Sequence, residues 1–439
     1  MRGVVIAGAG SGVGKTSIST GLMSLLSGKM NVQGYKIGPD FIDPMYHTLA
    51  TGRRSRNLDT YMMDAQKAKS LVAHSSKGAD LCVVEGVRGL YEGLSGTTEE
   101  CSTAEMAKIL GFPVILVINA RSLTRSAAAI INGFKSFDPE VKISGVILNN
   151  VSGRPHEQKL REAIESRCDV EIIGFVPRKR ADSVPQRALG LKTPSNAGYV
   201  DSMEDLVSCL DEDRLMDISE SFEPEFEDSD LYVHRNISAE VAVPYDEAFC
   251  FYYAENIECL EASGFKVRKF SPLNGDSLPE SDLYYLGGGY PELYAERLSE
   301  NGDFMEGLRT AAEDGKAILG ECGGLTVMCS SLSRKGESCP MSGIFQCEAV
   351  ESGRHGPKYT AAASTGTNPL FRGMKVRGHE FHYSEIRGYG NEFGFRLDRG
   401  TGISSGNDGL VRGMCLGTYM YQHALSTDDW AQGLVKAIR

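Results

Sequence analysis

Two glycine-rich turns concentrate the reactive side chains of this sequence. In the later one, Gly320-Glu321-Cys322-Gly323-Gly324, a cysteine stands where an apolar run, Ala317-Ile318-Leu319, gives way to a segment beginning at Leu325 and Met328. Read as strand, turn and helix, this is a nucleophile elbow with Cys in place of Ser. The sharp turn exposes the thiol, the helix N-terminus is expected to lower its pKa, and the Gly323 amide is placed to support an oxyanion. An inert buried cysteine is the competing reading. Upstream, Leu283-Tyr284-Tyr285-Leu286 enters Gly287-Gly288-Gly289-Tyr290-Pro291-Glu292. That turn is either simply tight or a source of further oxyanion donors from Gly288 and Gly289. A cysteine nucleophile needs a base, and the chain has 8 histidines. His423, closing Gly417-Thr418-Tyr419-Met420-Tyr421-Gln422-His423, is a candidate, although an isolated His is as readily a satisfied core or surface residue.

The earlier turn is Gly8-Ala9-Gly10-Ser11-Gly12-Val13-Gly14-Lys15-Thr16. It follows the β-branched run Val4-Val5-Ile6-Ala7 and precedes Ile18, Leu22, Leu25 and Leu26 at helical spacing. Between strand and helix, the amides of Gly12, Val13 and Gly14 can cradle phosphates, Lys15 can reach the β/γ oxygens, and Thr16 can hold Mg²⁺. The apolar strands Leu81–Val84 and Val114–Ile118 indicate a parallel sheet covered on both faces. Glu85 then emerges at a carboxyl end, where such sheets bind ligands, as a candidate metal carboxylate. Gly86-Val87-Arg88-Gly89-Leu90-Tyr91-Glu92-Gly93 adds a second acid, Glu92. In Lys36-Ile37-Gly38-Pro39-Asp40-Phe41-Ile42-Asp43-Pro44, turn chemistry alone could account for Asp40 and Asp43.

The elements that must carry these residues fill 439 positions, enough for two domains. Acidic residues crowd between Asp201 and Asp230 and read as a solvated linker, giving expected domains at 1–195 and 239–439 with a linker at 196–238. Both domains are expected to be α/β, the first a parallel P-loop sheet. A net charge of −12 argues against a nucleic-acid partner. No apolar run is long enough to span a bilayer. Met1–Ala7 runs into the phosphate loop without a cleavage site and reads as the first strand, not a leader. The 11 cysteines include no C-x-x-C pair and fit a reducing cytoplasm better than a disulfide framework or zinc site. The two turns together point to a synthetase that activates one substrate with ATP and uses a nucleophile elsewhere.

Lys36–Pro44, with Thr51-Gly52-Arg53 and Ser55-Arg56-Asn57-Leu58-Asp59, resembles the substrate and metal loop of the cobyrinate a,c-diamide synthases. Glu85–Gly93 resembles the family's second acidic loop, with Glu92 where relatives carry Asp. The phosphate loop is similar to that of the dethiobiotin synthetase relatives, with Ser11 where partitioning ATPases have a signature Lys. The resemblance implies Asn149 at the purine base; a strand-end cap is the plainer reading. Pro185–Leu191 also resembles a family segment, with Ala188 in place of the usual His and its contact; Arg187 remains available to bind a substrate carboxylate bidentately. In the second half, Gly287–Glu292, Gly320–Gly324 and the final Tyr-x-x-x-His resemble a class I glutamine amidotransferase domain. That resemblance implies a Cys322–His423 dyad, with Leu425 where many such domains carry a triad Glu.

The resemblance thus implies a dethiobiotin-synthetase-like P-loop domain and an amidotransferase domain using glutamine, ATP and a tetrapyrrole-type macrocycle. Mg²⁺ would be held by Thr16, Asp40 and Glu85, with Asp43 and Glu92 positioning substrate. A homodimer is compatible with it. Ni-sirohydrochlorin is the alternative macrocycle. From another class, a nucleotide switch with an inactive amidotransferase-like domain is disfavoured by intact Cys322 and His423.

Overall fold

Strands buried on both faces require apolar side chains at successive positions, and the first half of the chain supplies them in short runs separated by amphipathic helices. In the computed structural model the described residues are 1–178, 186–187, 190–191, 198–220, 226, 229–390 and 392–439. They fall into two units, Met1–Ser229 and Asp230–Arg439. Among the described residues, no helix is long and apolar enough to cross a membrane.

The first unit is built on β1 (Gly3–Gly8), β2 (Val32–Ile37), β3 (Arg56–Leu58), β4 (Leu81–Glu85), β5 (Val114–Asn119), β6 (Ile143–Val151) and β7 (Glu171–Pro177). All pair in parallel, in the order β3-β2-β4-β1-β5-β6-β7. A parallel sheet needs crossovers, and six helices provide them: α1 (Lys15–Ser27), α2 (Ile42–Thr51), α3 (Ala65–Ser75), α4 (Thr103–Leu110), α5 (Ser126–Phe137) and α6 (Arg154–Glu165). Because β1 lies between β4 and β5, the loop after it opens at the point where the winding reverses, the place where such sheets form a ligand crevice. Two two-residue strands, β8 (Gln186–Arg187) and β9 (Gly190–Leu191), pair antiparallel. The side chain of Arg187 lies outside the described residues.

The segment expected to be an acidic linker is structured over much of its length. It contains α7 (Gly198–Val207) and α8 (Glu212–Glu220), and the boundary between units falls after Ser229. The acidity concealed an amphipathic pattern. Val200, Met203 and Val207 recur at helical spacing, and Val207, Leu210, Leu215 and Ile218 join the core formed by Val4, Ile6, Ile18 and Leu22. Several of the acids meet partners on the same unit: Glu204 accepts from Ser24 at 2.5 Å and Glu212 pairs with Lys29 at 2.7 Å.

The second unit begins with β10 (Ala239–Pro244), α9 (Ala254–Ala262), β11 (Phe265–Phe270), β12 (Leu283–Leu286), α10 (Ala295–Glu300), α11 (Gly302–Glu313), β13 (Ala317–Glu321) and α12 (Gly323–Met328). It continues through β14 (Cys329–Arg334), β15 (Glu337–Pro340), β16 (Phe345–Ser364), β17 (Lys375–Arg387), β18 (Phe393–Arg399), β19 (Asn407–Arg412), β20 (Cys415–Thr418), β21 (Met420–Gln422) and α13 (Ala431–Ala437). One sheet joins them in the order β11-β10-β12-β13-β20-β19-β18-β16-β14-β15, with β17 bridging β16 and β21. The portion β11-β10-β12-β13-β20 is parallel. Its core gathers Val241, Leu260, Leu283, Leu319, Phe371, Leu416, Met420 and Trp430.

Candidate active sites

In the first unit the loop after β1 takes its shape from glycines. Gly12 and Gly14 have φ of 75° and 99°, and a Cβ on Gly14 would fall 2.3 Å from Nδ2 of Asn149. Asn149, at the end of β6, instead donates from Nδ2 to the Val13 carbonyl at 2.8 Å. It therefore braces the loop from beneath. Lys15 donates from Nζ to the carbonyls of Gly10 and Arg88, folding over the cradle. Burial lowers the Lys15 pKa, and the charge of Lys36 lowers it further, against the pull of Glu85 and Asp43.

Below the loop, β4, β2, α1 and α2 bring five polar side chains into one buried cluster. Glu85 has no solvent exposure. It accepts from Thr16 Oγ1 at 2.6 Å and Lys36 Nζ at 2.8 Å, and meets His47 Nε2 at 2.7 Å. Lys36 also pairs with Asp43 at 2.6 Å, and Thr16 Oγ1 lies 3.4 Å from the same Asp43 oxygen. Burial alone would push the Glu85 carboxyl up, yet Lys36 and His47 hold it below the usual carboxylate range. Burial opposes charge on Lys36 as well, but Asp43 and Glu85 raise its pKa above the ordinary value. Burial, with Asp40 and Glu85 adding, raises Asp43 against the pull of Lys36.

This cluster redistributes the roles expected of the acids. Asp43, rather than Asp40, converges with Thr16 and Glu85. Asp40 is exposed and accepts from the Ile42 amide at 2.7 Å, fixing the entry to α2. Glu92 is exposed and accepts from Gly89 N–H at 3.0 Å within its own loop. Among the described residues no three His, Cys, Asp or Glu side chains are grouped to hold a metal ion. The donor set Thr16, Asp43 and Glu85 is nevertheless all oxygen, and Lys36 already places positive charge between the carboxylates. Such a site suits a hard divalent cation that takes its remaining ligands from phosphate and water. Lys36 and His47 were missed as site residues in the sequence. The signals were a lysine in a strand buried along its length and a histidine one helical turn beyond Asp43.

In the second unit the elbow is formed. Cys322, between β13 and α12, has φ 48° and ψ −96°, a strained conformation for a residue with a side chain. The Gly323 amide contacts its sulfur, and Sγ donates to the Phe381 carbonyl at 3.6 Å. The glycine turn after β12 closes on this elbow, since the position of a Cβ on Gly323 lies 3.2 Å from the Gly289 amide nitrogen. The expectation of a lowered thiol pKa is not met. Burial pushes the Cys322 thiol up to about 12, more than the Tyr421 hydroxyl and Gly323 amide offset. One short helix cannot outweigh the removal of water from sulfur.

His423 has no solvent exposure and makes no hydrogen bond to Cys322. Its Nδ1 accepts from Leu425 N–H at 3.2 Å, which leaves the proton on Nε2, 3.5 Å from Glu255 Oε2. With Leu425 two residues after the His, a carboxylate from α9 lies beside the ring instead. The neighbouring Asn256 fixes the backbone on both sides, donating to the Gln422 carbonyl at 2.8 Å and accepting from Ala424 N–H at 2.7 Å. Neither residue carried a signal in the sequence.

His379 and His382, on β17, line the same region. The ring of His379 stacks on Tyr421 with centroids 5.0 Å apart, and its Nδ1 meets Tyr253 Oη at 3.0 Å. Burial pushes its pKa down to about 3, with His423 contributing. His382 stacks on Tyr419 at 3.6 Å. Behind the elbow, Glu321 accepts from Tyr285 Oη at 2.8 Å and from Gln422 N–H at 3.0 Å, tying β13 to β21. Burial pushes its carboxyl up to about 8.

A phosphate-binding loop over a buried acid cluster and a cysteine elbow backed by histidines define a two-domain protein with a P-loop nucleotide-binding unit and a class I glutamine amidotransferase-like unit. Residues 4–189 match the CobQ/CobB/MinD/ParA nucleotide binding domain, and residues 240–429 the CobB/CobQ-like glutamine amidotransferase domain. The cobyrinate a,c-diamide synthase of Methanocaldococcus jannaschii is 44% identical over 446 residues, covering 99% of both chains. That of Methanococcus maripaludis strain C5 is 44% identical over 455 residues, covering 99% of this chain and all of the relative. A solved glutamine amidotransferase is 17% identical with a TM-score of 0.33, covering 45% of this chain and 96% of its own. The chain belongs to the cobyrinate a,c-diamide synthase family.

Proposed function

We propose that this protein is an ATP- and glutamine-dependent ligase that converts the a and c acetate carboxylates of cobyrinate into amides. The observation that carries this reading is a match over 99% of the chain and 99% of a relative bearing that name, a span that includes both reactive turns.

In the second unit, the sulfur of Cys322 attacks the side-chain amide carbon of glutamine. The carbon–sulfur bond forms, the carbon–nitrogen bond breaks, and nitrogen leaves as ammonia carrying the proton given up by the thiol. Water then cleaves the thioester to glutamate and free thiol. The amides of Gly288, Gly289 and Gly323 serve the developing oxyanion. His423, beside Glu255 and Asn256, is the base, taking the thiol proton once a ring nitrogen turns from its resting contact to the sulfur. The raised thiol pKa makes a base necessary, because little thiolate exists at neutral pH.

In the first unit, an acetate oxygen of the macrocycle attacks the γ-phosphorus of ATP and ADP leaves, giving an acyl phosphate. Ammonia then displaces phosphate to form the amide. A free carboxylate is a poor acyl donor because oxide is a poor leaving group, and phosphorylation removes that obstacle. Gly12, Val13 and Gly14 bind phosphate oxygens and Lys15 meets the charge on the transferring group. Asn149, through Val13, holds the cradle in shape, and the family resemblance assigns it to the purine base. Thr16, Asp43 and Glu85 would hold Mg²⁺, which when bound neutralises phosphate charge. Asp40, Glu92 and Arg187 are left to face the macrocycle.

The test is to supply the protein with glutamine, Mg-ATP and cobyrinate or Ni-sirohydrochlorin in separate reactions. Two successive amidations of cobyrinate, each accompanied by ADP, are expected. ATP hydrolysis without amide formation on either macrocycle would overturn the reading.

A further inference from the structure

Tyr421 stands outside the proposed Cys322–His423 dyad, yet its hydroxyl lies at the glycine turn that closes on the elbow, close enough to pull the Cys322 thiol pKa down and to be raised by the thiol in return. Its place follows from the sheet. On β21, Tyr421 pairs with His379 of β17 in antiparallel register, and the two rings stack. Side chains alternate along a strand, so while Met420 enters the apolar core and Gln422 meets Trp430, Tyr421 points to the opposite face, where the elbow lies. The glycine turn leaves room for it there. A Cβ on Gly288 would fall 1.9 Å from Tyr421 Oη and 2.4 Å from Cε1, so a residue with any side chain at position 288 would displace the hydroxyl. By contrast, His423 directs Nε2 toward Glu255 and makes no hydrogen bond to the sulfur.

We infer that Tyr421 is a catalytic residue of the glutamine site, its hydroxyl donating a hydrogen bond to the Cys322 sulfur while that sulfur attacks and later leaves the amide carbon. The inference rests on the proposed glutamine chemistry. A buried sulfur bearing negative charge has lost its water, and a fixed donor replaces part of that solvation. Burial and the neighbouring thiol raise the Tyr421 hydroxyl well above its ordinary pKa, so it remains protonated at every working pH. Tyr421 therefore keeps its own proton throughout. The proton leaving Cys322 still goes to the base and then to the departing nitrogen. Gly288 acquires a second purpose, as the position that admits the phenol.

The experiment labels the full chain with iodoacetamide at fixed pH, reads the rate at the Cys322 peptide by mass spectrometry, and measures glutamine hydrolysis alongside. Tyr421→Phe is expected to slow labelling at least about tenfold, equivalent to a displacement of the rate–pH curve by about one unit. Its kcat for glutamine should fall by about a hundredfold, with little change in KM. Gly288→Ala, which retains the phenol but displaces it, should slow labelling in the same direction and covers the case in which Tyr421→Phe fails to fold. Labelling of either folded variant at the parent rate, with parent kcat in Tyr421→Phe, would overturn the inference while leaving the glutamine reading intact. A parent protein in which Cys322 is neither labelled nor active on glutamine would instead remove the reading on which it rests.

Discussion

Replacing Lys36 with methionine removes the positive charge between Asp43 and Glu85 while retaining a side chain of similar length. In the parent, Lys36 Nζ lies 2.6 Å from Asp43 and 2.8 Å from Glu85, with side-chain exposures of 6%, 12% and 0%. Removing one member of a buried ion pair costs about 3–5 kcal/mol, because the charge left behind has neither water nor partner. Here two carboxylates are left, although Glu85 keeps Thr16 and His47. The deficit should depend on pH. Glu85 is held low in the parent, so its contribution is present above the unfolded carboxylate pKa and lost only as pH falls through its lower folded value. Without Lys36, burial raises Glu85 and lifts Asp43, already raised in the parent, further, and stability is then lost as pH rises through their folded values. The difference from parent is therefore largest near pH 8 and smaller near pH 5. Hydrogen exchange of peptides covering 32–58 and 81–92 reads this unit. Fluorescence of Trp430, the sole tryptophan, reports on the other and should not move. A loss below about 1 kcal/mol, or one that does not shrink toward pH 5, would refute the picture of Lys36 as the charge that balances this cluster.

Lys15→Ala should lower ATP turnover by at least about a hundredfold, measured as ADP release, since one fixed donor to a developing charge is worth that much. Glu255→Ala should lower kcat for glutamine by up to about 10⁴-fold with KM nearly unchanged, because the carboxylate orients His423 without touching substrate; an unchanged kcat would remove Glu255 from the site. Glu321→Gln should cancel a pH-dependent destabilisation. The parent carboxyl has a folded pKa near 8, so between about pH 5 and 8 the parent loses about 1.4 kcal/mol per unit relative to the variant, levelling off above. Urea titrations followed at Trp430 measure that slope, and parallel pH dependence in the two proteins would contradict it.

The parts of this structure legible in the sequence were those fixed by local pattern. The phosphate loop between β1 and α1, Glu85 at the end of β4, and Cys322 between β13 and α12 all sit in the strand-to-helix contexts their neighbours imply. The segment 196–238 misled because charge dominated its composition, whereas Val200, Met203 and Val207 formed a narrow buried stripe. Residues brought in by tertiary pairing left weaker traces. Glu255 and Asn256 reach His423 from a helix more than half a domain away in sequence, and nothing in Ala254–Ala262 distinguishes them from surface polar residues. Tyr421 could have been found, since it shares a strand face with His423. The direction of the Cys322 shift could not, because it depends on burial rather than on the adjacent helix.

The central claim is that carboxyl activation and glutamine cleavage take place at separate sites carried on one chain, and Cys322→Ala tests it most directly. Amide formation on the macrocycle is followed by mass with Mg-ATP present and either glutamine or ammonium as the nitrogen source. The account predicts that the variant makes no amide from glutamine and still makes it from ammonium at a rate close to the parent's. Loss of both, in a protein that remains folded, would contradict separate sites.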